Sequence, residues 1–181
     1  MEGHASAALR VSGYVGLIVH RRHNRPLAAY GDPVAEIARS RTVAAEPKEV
    51  WDVLADFGSI SSWADNVDHS CILNNRIKHV GTTRRVQIGR NALVERITEF
   101  DPTWALAYDV KGLPKRLHRF HNRWTLRRIQ DGHTVVTLTS TVEIGSGPMQ
   151  NLIERAVCRI QARQSDVMLA GLAKRSEKAR V

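Results

Sequence analysis

The order of the secondary-structure signals predicts an α+β fold, in which one antiparallel sheet of about seven strands curves around a long C-terminal helix. Two observations lead to this prediction. Short segments of alternating or β-branched residues recur between turn signals from residue 34 to residue 144. After Pro148, an apolar stripe at helical spacing replaces them.

A pair of short helices is predicted directly after the first strand, which covers residues 34–44. Pro47 suits a first helical position, and Glu49 places an acid in the first turn, where the helix dipole favours it. Gly58 ends this helix, and a second short helix includes Trp63. The remaining strands are predicted over residues 68–73, 82–89, 92–100, 105–110, 119–128 and 134–144.

The terminal helix is predicted from Pro148 to about Ala170, because Gly171 weakens the helical pattern. We expect its apolar stripe to face the sheet. The stripe consists of Met149, Leu152, Ile153, Ala156, Val157 and Ile160, with Val167 and Met168 further on. This gives an N-terminal extension over residues 1–34, one domain over residues 35–170 and a basic tail over residues 171–181.

The net charge of +9 is concentrated near the two ends of the chain. Residues 42–147 contain fourteen basic and twelve acidic side chains and so contribute only +2. Nucleic-acid binding is therefore not expected. One internal segment, residues 111–128, has seven basic residues and no acid. It is either a solvated strand face or a surface that contacts phosphates, a coenzyme tail or an anionic membrane.

Cysteine usage and hydropathy favour a cytoplasmic protein. The spacing of Cys71 and Cys158 suggests neither a disulfide framework nor a metal site, so we expect two reduced thiols. The apolar run at residues 11–19 is short, and the basic cluster that follows it lies on the wrong side for a signal peptide.

Four segments in order resemble a known family: AEPKEVWDVLADF with SSW, GTTRRVQIGRNALVERITEFDP, LAYDV, and NRWTLRRIQDGHTVVTLTSTVE. Over residues 36–168 the chain resembles the polyketide cyclase/dehydrase branch of the START-like (SRPBCC, Bet v 1-like) superfamily. The resemblance implies the helix-grip fold, with an apolar cavity between the sheet and the terminal helix. Members of the superfamily include aromatic polyketide cyclases, carriers of lipids and quinones, and plant hormone binders.

Strand alternation indicates which side chains face that cavity. In the last strand, threonines occupy one face, so the inward set is Val136, Leu138, Ser140 and Val142. Trp124 and Leu126 form the inward set of the preceding strand. One strand earlier, the inward set is Leu106, Tyr108 and Val110.

Arg84 and Glu95 are predicted on the inward faces of two adjacent strands. Arg84 alternates in step with Val86, and Glu95 with Ile97, although Phe100 favours the opposite face. Buried charges are costly unless paired, so each should pair with the other or with a ligand. Two interpretations remain open. Arg84 could hold a carbonyl or carboxylate of the ligand while Glu95 acts as a general base, or the two could form a partly exposed ion pair near the sheet edge.

The functional hypotheses follow from the implied cavity. One is a carrier or sequestering protein for a lipid, quinone or polyketide-like molecule, and the other is a polyketide cyclase/dehydratase in which Glu95 and Arg84 act. No metal is predicted, because His118 and His121 lie on opposite faces of their strand, and no other cofactor is predicted, because the sequence has no Gly-rich phosphate loop. Oligomeric state stays open. The predicted ligand-binding residues are Ile60, Trp63, Val86, Tyr108, Trp124, Leu138, Leu152 and Ala156.

Overall fold

A computed structural model describes residues 34–74, 79–113, 117–129, 132–144 and 150–178. The predicted N-terminal extension lies outside these ranges except for its last residue, and so does Met149. No helix in the described ranges is long and apolar enough to cross a membrane.

Seven antiparallel strands form a single curved sheet, which confirms the predicted fold class. The strands are β1 (Val34–Val43), β2 (His69–Ile72), β3 (Thr83–Ile88), β4 (Asn91–Asp101), β5 (Ala105–Lys111), β6 (Leu117–Arg128) and β7 (Thr134–Ile144). Their order across the sheet is β1-β7-β6-β5-β4-β3-β2. The helices are α1 (Pro47–Ala55), a 3₁₀ helix (Phe57–Ser62) and α2 (Gln150–Lys178).

The start of α1 follows from local sequence. Glu46 is the N-cap and Pro47 the first helical residue, and the backbone N–H of Glu46 donates to Oε2 of Glu49 at 2.7 Å. This capping box satisfies N–H groups that the first turn cannot pair internally. The 3₁₀ helix ends at Ser62, so Trp63 caps it rather than lying within it.

A β-bulge in β4 explains why Glu95 and Phe100 predicted opposite inner faces for this strand. The pairing of β4 with β5 shifts between Ile97 and Glu99. Before the bulge Glu95 and Ile97 are buried, and beyond it Phe100 packs against the core. One extra residue reverses the alternation, so Glu95 and Phe100 share the inner face although their numbers differ in parity.

Only the C-terminal half of α2 is buried in the way the apolar stripe predicted. Met168 is buried, whereas Ala156, Ile160 and Val167 are exposed, so the prediction is wrong for these three residues. A cavity lies beside α2 in its middle turns, where Gln161, Gln164 and Met168 line it. The buried residues in the described part of α2 are Ser165, Met168, Leu169, Gly171, Leu172, Ala173 and Ser176.

The predicted end of α2 at Ala170 is also wrong, because the helix continues through Gly171 to Lys178. Gly171 packs against the backbone of Trp63, and a Cβ at this position would overlap the carbonyl oxygen of Trp63. The glycine therefore permits close packing of α2 on the end of the 3₁₀ helix. Its low helix propensity is overcome by this tertiary contact.

Candidate functional site

A cavity of about 180 Å³ lies between the inner face of the sheet and α2. Strands β3 to β6, the 3₁₀ helix with the loop that follows it, and α2 all contribute to its wall. The lining residues are Ile60, Asn66, Val67, Val86, Ile88, Leu93, Glu95, Tyr108, Leu113, Phe120, Asn122, Gln161, Gln164 and Met168. The wall is thus mainly apolar, with a small number of polar groups, as is usual for sites that bind small molecules.

Arg84 and Glu95 form a buried ion pair beside this cavity. They face each other directly across β3 and β4, with Nη2 of Arg84 2.6 Å from Oε2 of Glu95. The Nε–H of Arg84 donates to the same oxygen, also at 2.6 Å. Their side chains are only 3% and 8% exposed. Because both side chains are buried, the pair is not the partly exposed one considered from the sequence.

The remaining faces of the Arg84 guanidinium are also occupied by protein. Nη1 donates to the backbone oxygen of Phe57 at 2.5 Å, and Cζ lies 3.7 Å from the centre of the Phe57 ring. Tyr108 stands on a second side, with its ring centre 5.2 Å from Cζ. Arg84 therefore contacts a carboxylate, a backbone carbonyl and two aromatic rings. Together these contacts offset much of the free-energy cost of removing the guanidinium from water.

A chain of hydrogen bonds connects α2 to the buried tyrosine. Gln161 Nε2 donates to Ser140 Oγ at 3.4 Å, and Ser140 Oγ donates to Asn122 Oδ1 at 2.7 Å. Asn122 Nδ2 then donates to the Tyr108 hydroxyl at 3.3 Å. Burial, followed by the nearby charge of Glu95, raises the pKa of Tyr108 to about 12. The phenol therefore stays protonated at physiological pH.

The structure brings together some of the predicted ligand-binding residues. Ile60, Val86 and Tyr108 line the cavity beside Glu95. Trp63 and Trp124 meet edge to face, with ring centres 6.3 Å apart, and line a separate void of about 10 Å³ that Arg84 also borders. That void holds at most about one water molecule.

Two other predicted residues, Leu138 and Ala156, lie elsewhere. Leu138 is fully buried in the core and does not line the cavity. Ala156 is exposed on α2. The side chain of Leu152 lies outside the described part of the structure.

Four amide side chains on the cavity wall were missed at the sequence level: Asn66, Asn122, Gln161 and Gln164. A signal was present for Asn122, because it alternates in step with Trp124 and Leu126 on β6 and so belongs to their inward set. For the two glutamines no signal was present, since a glutamine beside an internal cavity looks like one on a solvated helix face.

Three of the seven basic residues of the segment 111–128 contact carboxylates, and two of these, Arg119 and Arg123, lie on the outward face of the sheet. Arg123 contacts Glu99 at 2.6 Å, Arg119 contacts Glu143 at 3.6 Å, and Arg128 contacts Glu46 at 3.1 Å. On the same face His121 Nδ1 lies 2.9 Å from Asp109, away from the cavity lining.

Fold and cavity together define a helix-grip protein with an internal site for a small molecule. The model of the family described as polyketide cyclase / dehydrase and lipid transport matches residues 34–177, and the chain belongs to that family. No curated protein sequence matches the chain significantly.

Solved structures show the same fold at low sequence identity. The Zhui aromatase/cyclase from Streptomyces sp. R1128 has a TM-score of 0.72 at 17% identity, over 82% of this chain and 97% of that one. The di-domain ARO/CYC StfQ from the steffimycin biosynthetic pathway has a TM-score of 0.70 at 14% identity, over 81% of this chain and 52% of that one. A START superfamily protein from Mycobacterium smegmatis has a TM-score of 0.63 at 14% identity, over 80% and 98%.

Proposed function

We propose that the protein binds a hydrophobic small molecule in the cavity between the sheet and α2, as a carrier or sequestering protein. The cavity itself supports this proposal: it is about 180 Å³ in volume, and its wall is apolar except for a few polar side chains. Burial of an apolar ligand there removes hydrocarbon surface from water. This stabilises the complex by about 25 cal/mol for each Å² of apolar surface buried. Of the residues predicted to bind the ligand, we propose that Ile60, Val86 and Tyr108 contact it directly.

The state of Arg84 favours a carrier over an enzyme. All three of its nitrogens contact Glu95 or the Phe57 carbonyl, and its side chain is 3% exposed. Arg84 therefore has little capacity left to hold a substrate carbonyl. Its proposed role is to hold the Glu95 side chain in place beside the ligand.

Native mass spectrometry of the purified protein tests the proposal. The expected result is an intact apolar molecule that co-purifies in a ratio near one to one and leaves on extraction with organic solvent. Val86→Trp fills the cavity from β3 and should abolish co-purification. Val135→Trp, on the outward-facing side of β7 where the side chain is half-buried, is the control and should retain the ligand. Equal ligand content in both variants would place the site elsewhere.

A cyclase or dehydratase is the second candidate, and one observation favours it. Both contacts from Arg84 fall on Oε2 of Glu95, and Glu95 lines the cavity, which leaves Oε1 to accept a proton from a bound substrate. Two of the structurally similar proteins are aromatase/cyclases, although at this identity only the fold is shared. Turnover of an aromatic polyketide precursor that Glu95→Gln abolishes, with binding of the precursor retained, would establish catalysis and overturn the carrier proposal.

Membrane contact through residues 111–128 is a separate proposal. Lys111 and Arg127 are exposed in this segment, whereas Arg119, Arg123 and Arg128 already face carboxylates. Any attraction to anionic lipid should therefore be weak, at about 1 kcal/mol per free basic residue. Sedimentation with phosphatidylserine vesicles, compared between the wild type and Lys111→Glu/Arg127→Glu, tests it.

A further inference from the structure

We propose that one exposed face of α2 docks the protein on an anionic membrane surface. This docking face consists of Ala156, Arg159, Ile160, Arg163, Val167 and Lys174, all of which are exposed. Their spacing of three, four or seven residues places them on one side of the helix. The proposal goes beyond ligand binding, because it concerns side chains that do not line the cavity.

Two β-branched apolar side chains are exposed on the docking face. Ile160 is 61% exposed and Val167 is 39% exposed, and neither belongs to the hydrophobic core. Isoleucine and valine are also weaker helix formers than alanine, leucine or arginine. Neither packing nor helix propensity therefore explains these residues, whereas a partner that removes them from water gains free energy.

The docking face also carries positive charge that the protein does not neutralise. Arg159, Arg163 and Lys174 have no carboxylate partner among the described residues. Asp166 is the one acid between residues 155 and 176. Its carboxylate accepts from Nε of Arg39 at 2.8 Å, so its charge is already compensated. The charge of this face is therefore complementary to an anionic partner.

The mixture of apolar and basic side chains favours a lipid surface among the anionic partners. In a helix that lies on a membrane, apolar residues enter the acyl boundary while arginine and lysine reach the lipid phosphates. The long apolar stems of arginine and lysine permit both contacts at once. A nucleic acid would pair the cations through its phosphates but would leave Ile160 and Val167 without an apolar partner.

A second copy of the chain is a less favourable partner for the same face. A two-fold interface places the same surface of both copies together. Arg159, Arg163 and Lys174 would then face identical cations, and like charges across an interface oppose association. An anionic bilayer offers apolar surface without this repulsion.

The docking face lies on the same turns of α2 as the cavity wall. Gln161 and Gln164 line the cavity, and they are next to Ile160 and Arg163 in the chain. A helix with its side chains is about 10–12 Å across. Docking through this face therefore brings the cavity to about that distance from the lipid.

Co-sedimentation of the full chain with vesicles tests the proposal. One set of vesicles is phosphatidylcholine alone, and the other contains equal parts of phosphatidylcholine and phosphatidylserine. We expect at least about tenfold stronger partitioning into the second set at about 0.1 M salt, since each basic residue near an anionic surface gives about a fivefold gain. At about 1 M salt this preference should fall to about twofold, because screening becomes strong. Equal partitioning into both sets at low salt would overturn the proposal.

A charge variant with a matched control locates the contact. Arg159→Gln/Arg163→Gln should weaken partitioning into the anionic vesicles by about tenfold or more. Arg85→Gln/Arg96→Gln removes the same charge from exposed positions of β3 and β4. These positions alternate with Arg84 and Glu95 and so lie on the outward face of the sheet, away from α2. The control should change partitioning by less than about threefold, and an equal loss in both variants would show that net charge alone matters.

The apolar contribution is tested by one loss and one gain. Ile160→Ser/Val167→Ser should weaken partitioning by about tenfold. Ile160→Trp should strengthen it by about threefold, because tryptophan favours the membrane interface, and misfolding does not explain such a gain. Thermal unfolding should give similar melting temperatures for all of these exposed substitutions. Unchanged partitioning in both apolar variants would overturn the proposal.

The other partners have distinct outcomes, and each would overturn membrane docking. One is a concentration-dependent dimer that Ile160→Ser/Val167→Ser dissociates. Another is binding of duplex DNA, without binding of vesicles, that Arg159→Gln/Arg163→Gln weakens. If an apolar ligand co-purifies but no vesicle binds, the ligand-binding function stands and membrane docking through α2 is wrong.

Discussion

Arg84 and Glu95 lie opposite each other on β3 and β4, at directly paired positions of the sheet, and both side chains are almost completely buried. Ion pairs in such surroundings gain little net free energy, because desolvation of the two groups offsets their attraction. Loss of one partner is different, since the other charge stays buried alone. The stability of single and double variants of this pair therefore reports whether the two charges are buried.

Replacing either partner alone should destabilise the fold by about 3–5 kcal/mol, whereas replacing both should cost clearly less than the sum. Urea unfolding of Arg84→Met, Glu95→Leu and the double variant measures this coupling. The matched control is Arg123–Glu99 on the outer face, whose side chains are 41% and 36% exposed. Its single variants should change the free energy of unfolding by about 1 kcal/mol or less. Similar losses at both pairs would show that the inner pair is solvated.

Gly171→Ala should destabilise the protein although alanine is the better helix former. Alanine gains about 1 kcal/mol of helix propensity over glycine. The new Cβ would collide with the carbonyl oxygen of Trp63, a backbone atom that no side-chain rotation can move. Overpacking of this kind costs about 1–3 kcal/mol, and more where the backbone must shift, so the net sign is unfavourable.

Thermal unfolding of Gly171→Ala beside Lys174→Ala measures this effect. Lys174 lies in the next turn of α2 and is exposed, so its variant reports helix propensity without the clash. A higher melting temperature for Gly171→Ala would show that α2 and Trp63 are not packed so closely.

The residue pattern was sufficient to predict the sheet and the inner faces of β5, β6 and β7. Regular strands alternate strictly, so the threonines on one face of β7 identified Val136, Leu138 and Ser140 on the other, and these are buried. In β4 the same rule gave a conflict between Glu95 and Phe100. The bulge after Ile97 explains this conflict, and no residue type at that position indicates the extra residue.

The position of α2 on the sheet could not be predicted from its periodicity. An apolar stripe shows that some face is buried, but not which turns meet the sheet. Here the helix is buried around Met168 and Leu172, while Ile160 remains 61% exposed. The amides of the cavity wall were missed because the cavity forms only in the folded protein, so the sequence does not show which amides lie beside it.

Above pH 10 the Tyr108 phenol should make the fold increasingly unstable. Its pKa is raised from 10.0 in the unfolded reference to about 12 in the folded protein, first of all by burial. The folded state then holds a proton that the unfolded state releases, so the stabilisation is complete below pH 10 and is lost as the pH rises towards 12. The slope is about 1.4 kcal/mol per pH unit in that window.

Urea unfolding of the wild type and Tyr108→Phe at several pH values from 9 upwards checks this slope, with urea chosen because it is uncharged. The variant lacks the titrating group, so the stability difference between the two proteins should change with pH only above about pH 10. Parallel loss of stability in both would mean that Tyr108 ionises at its ordinary pKa.

Val86 and Leu138 should behave differently although both were predicted to bind the ligand. Val86 lines the cavity, whereas Leu138 is buried in the core away from it. Leu138→Ala should therefore lower the free energy of unfolding by about 2–5 kcal/mol and leave the amount of co-purifying ligand per protein unchanged. Val86→Ala enlarges the cavity, so it should cost about 1–3 kcal/mol of stability and also change the amount of ligand that co-purifies. Native mass spectrometry of both variants decides this, and a change in ligand content caused by Leu138→Ala would place that side chain on the ligand after all.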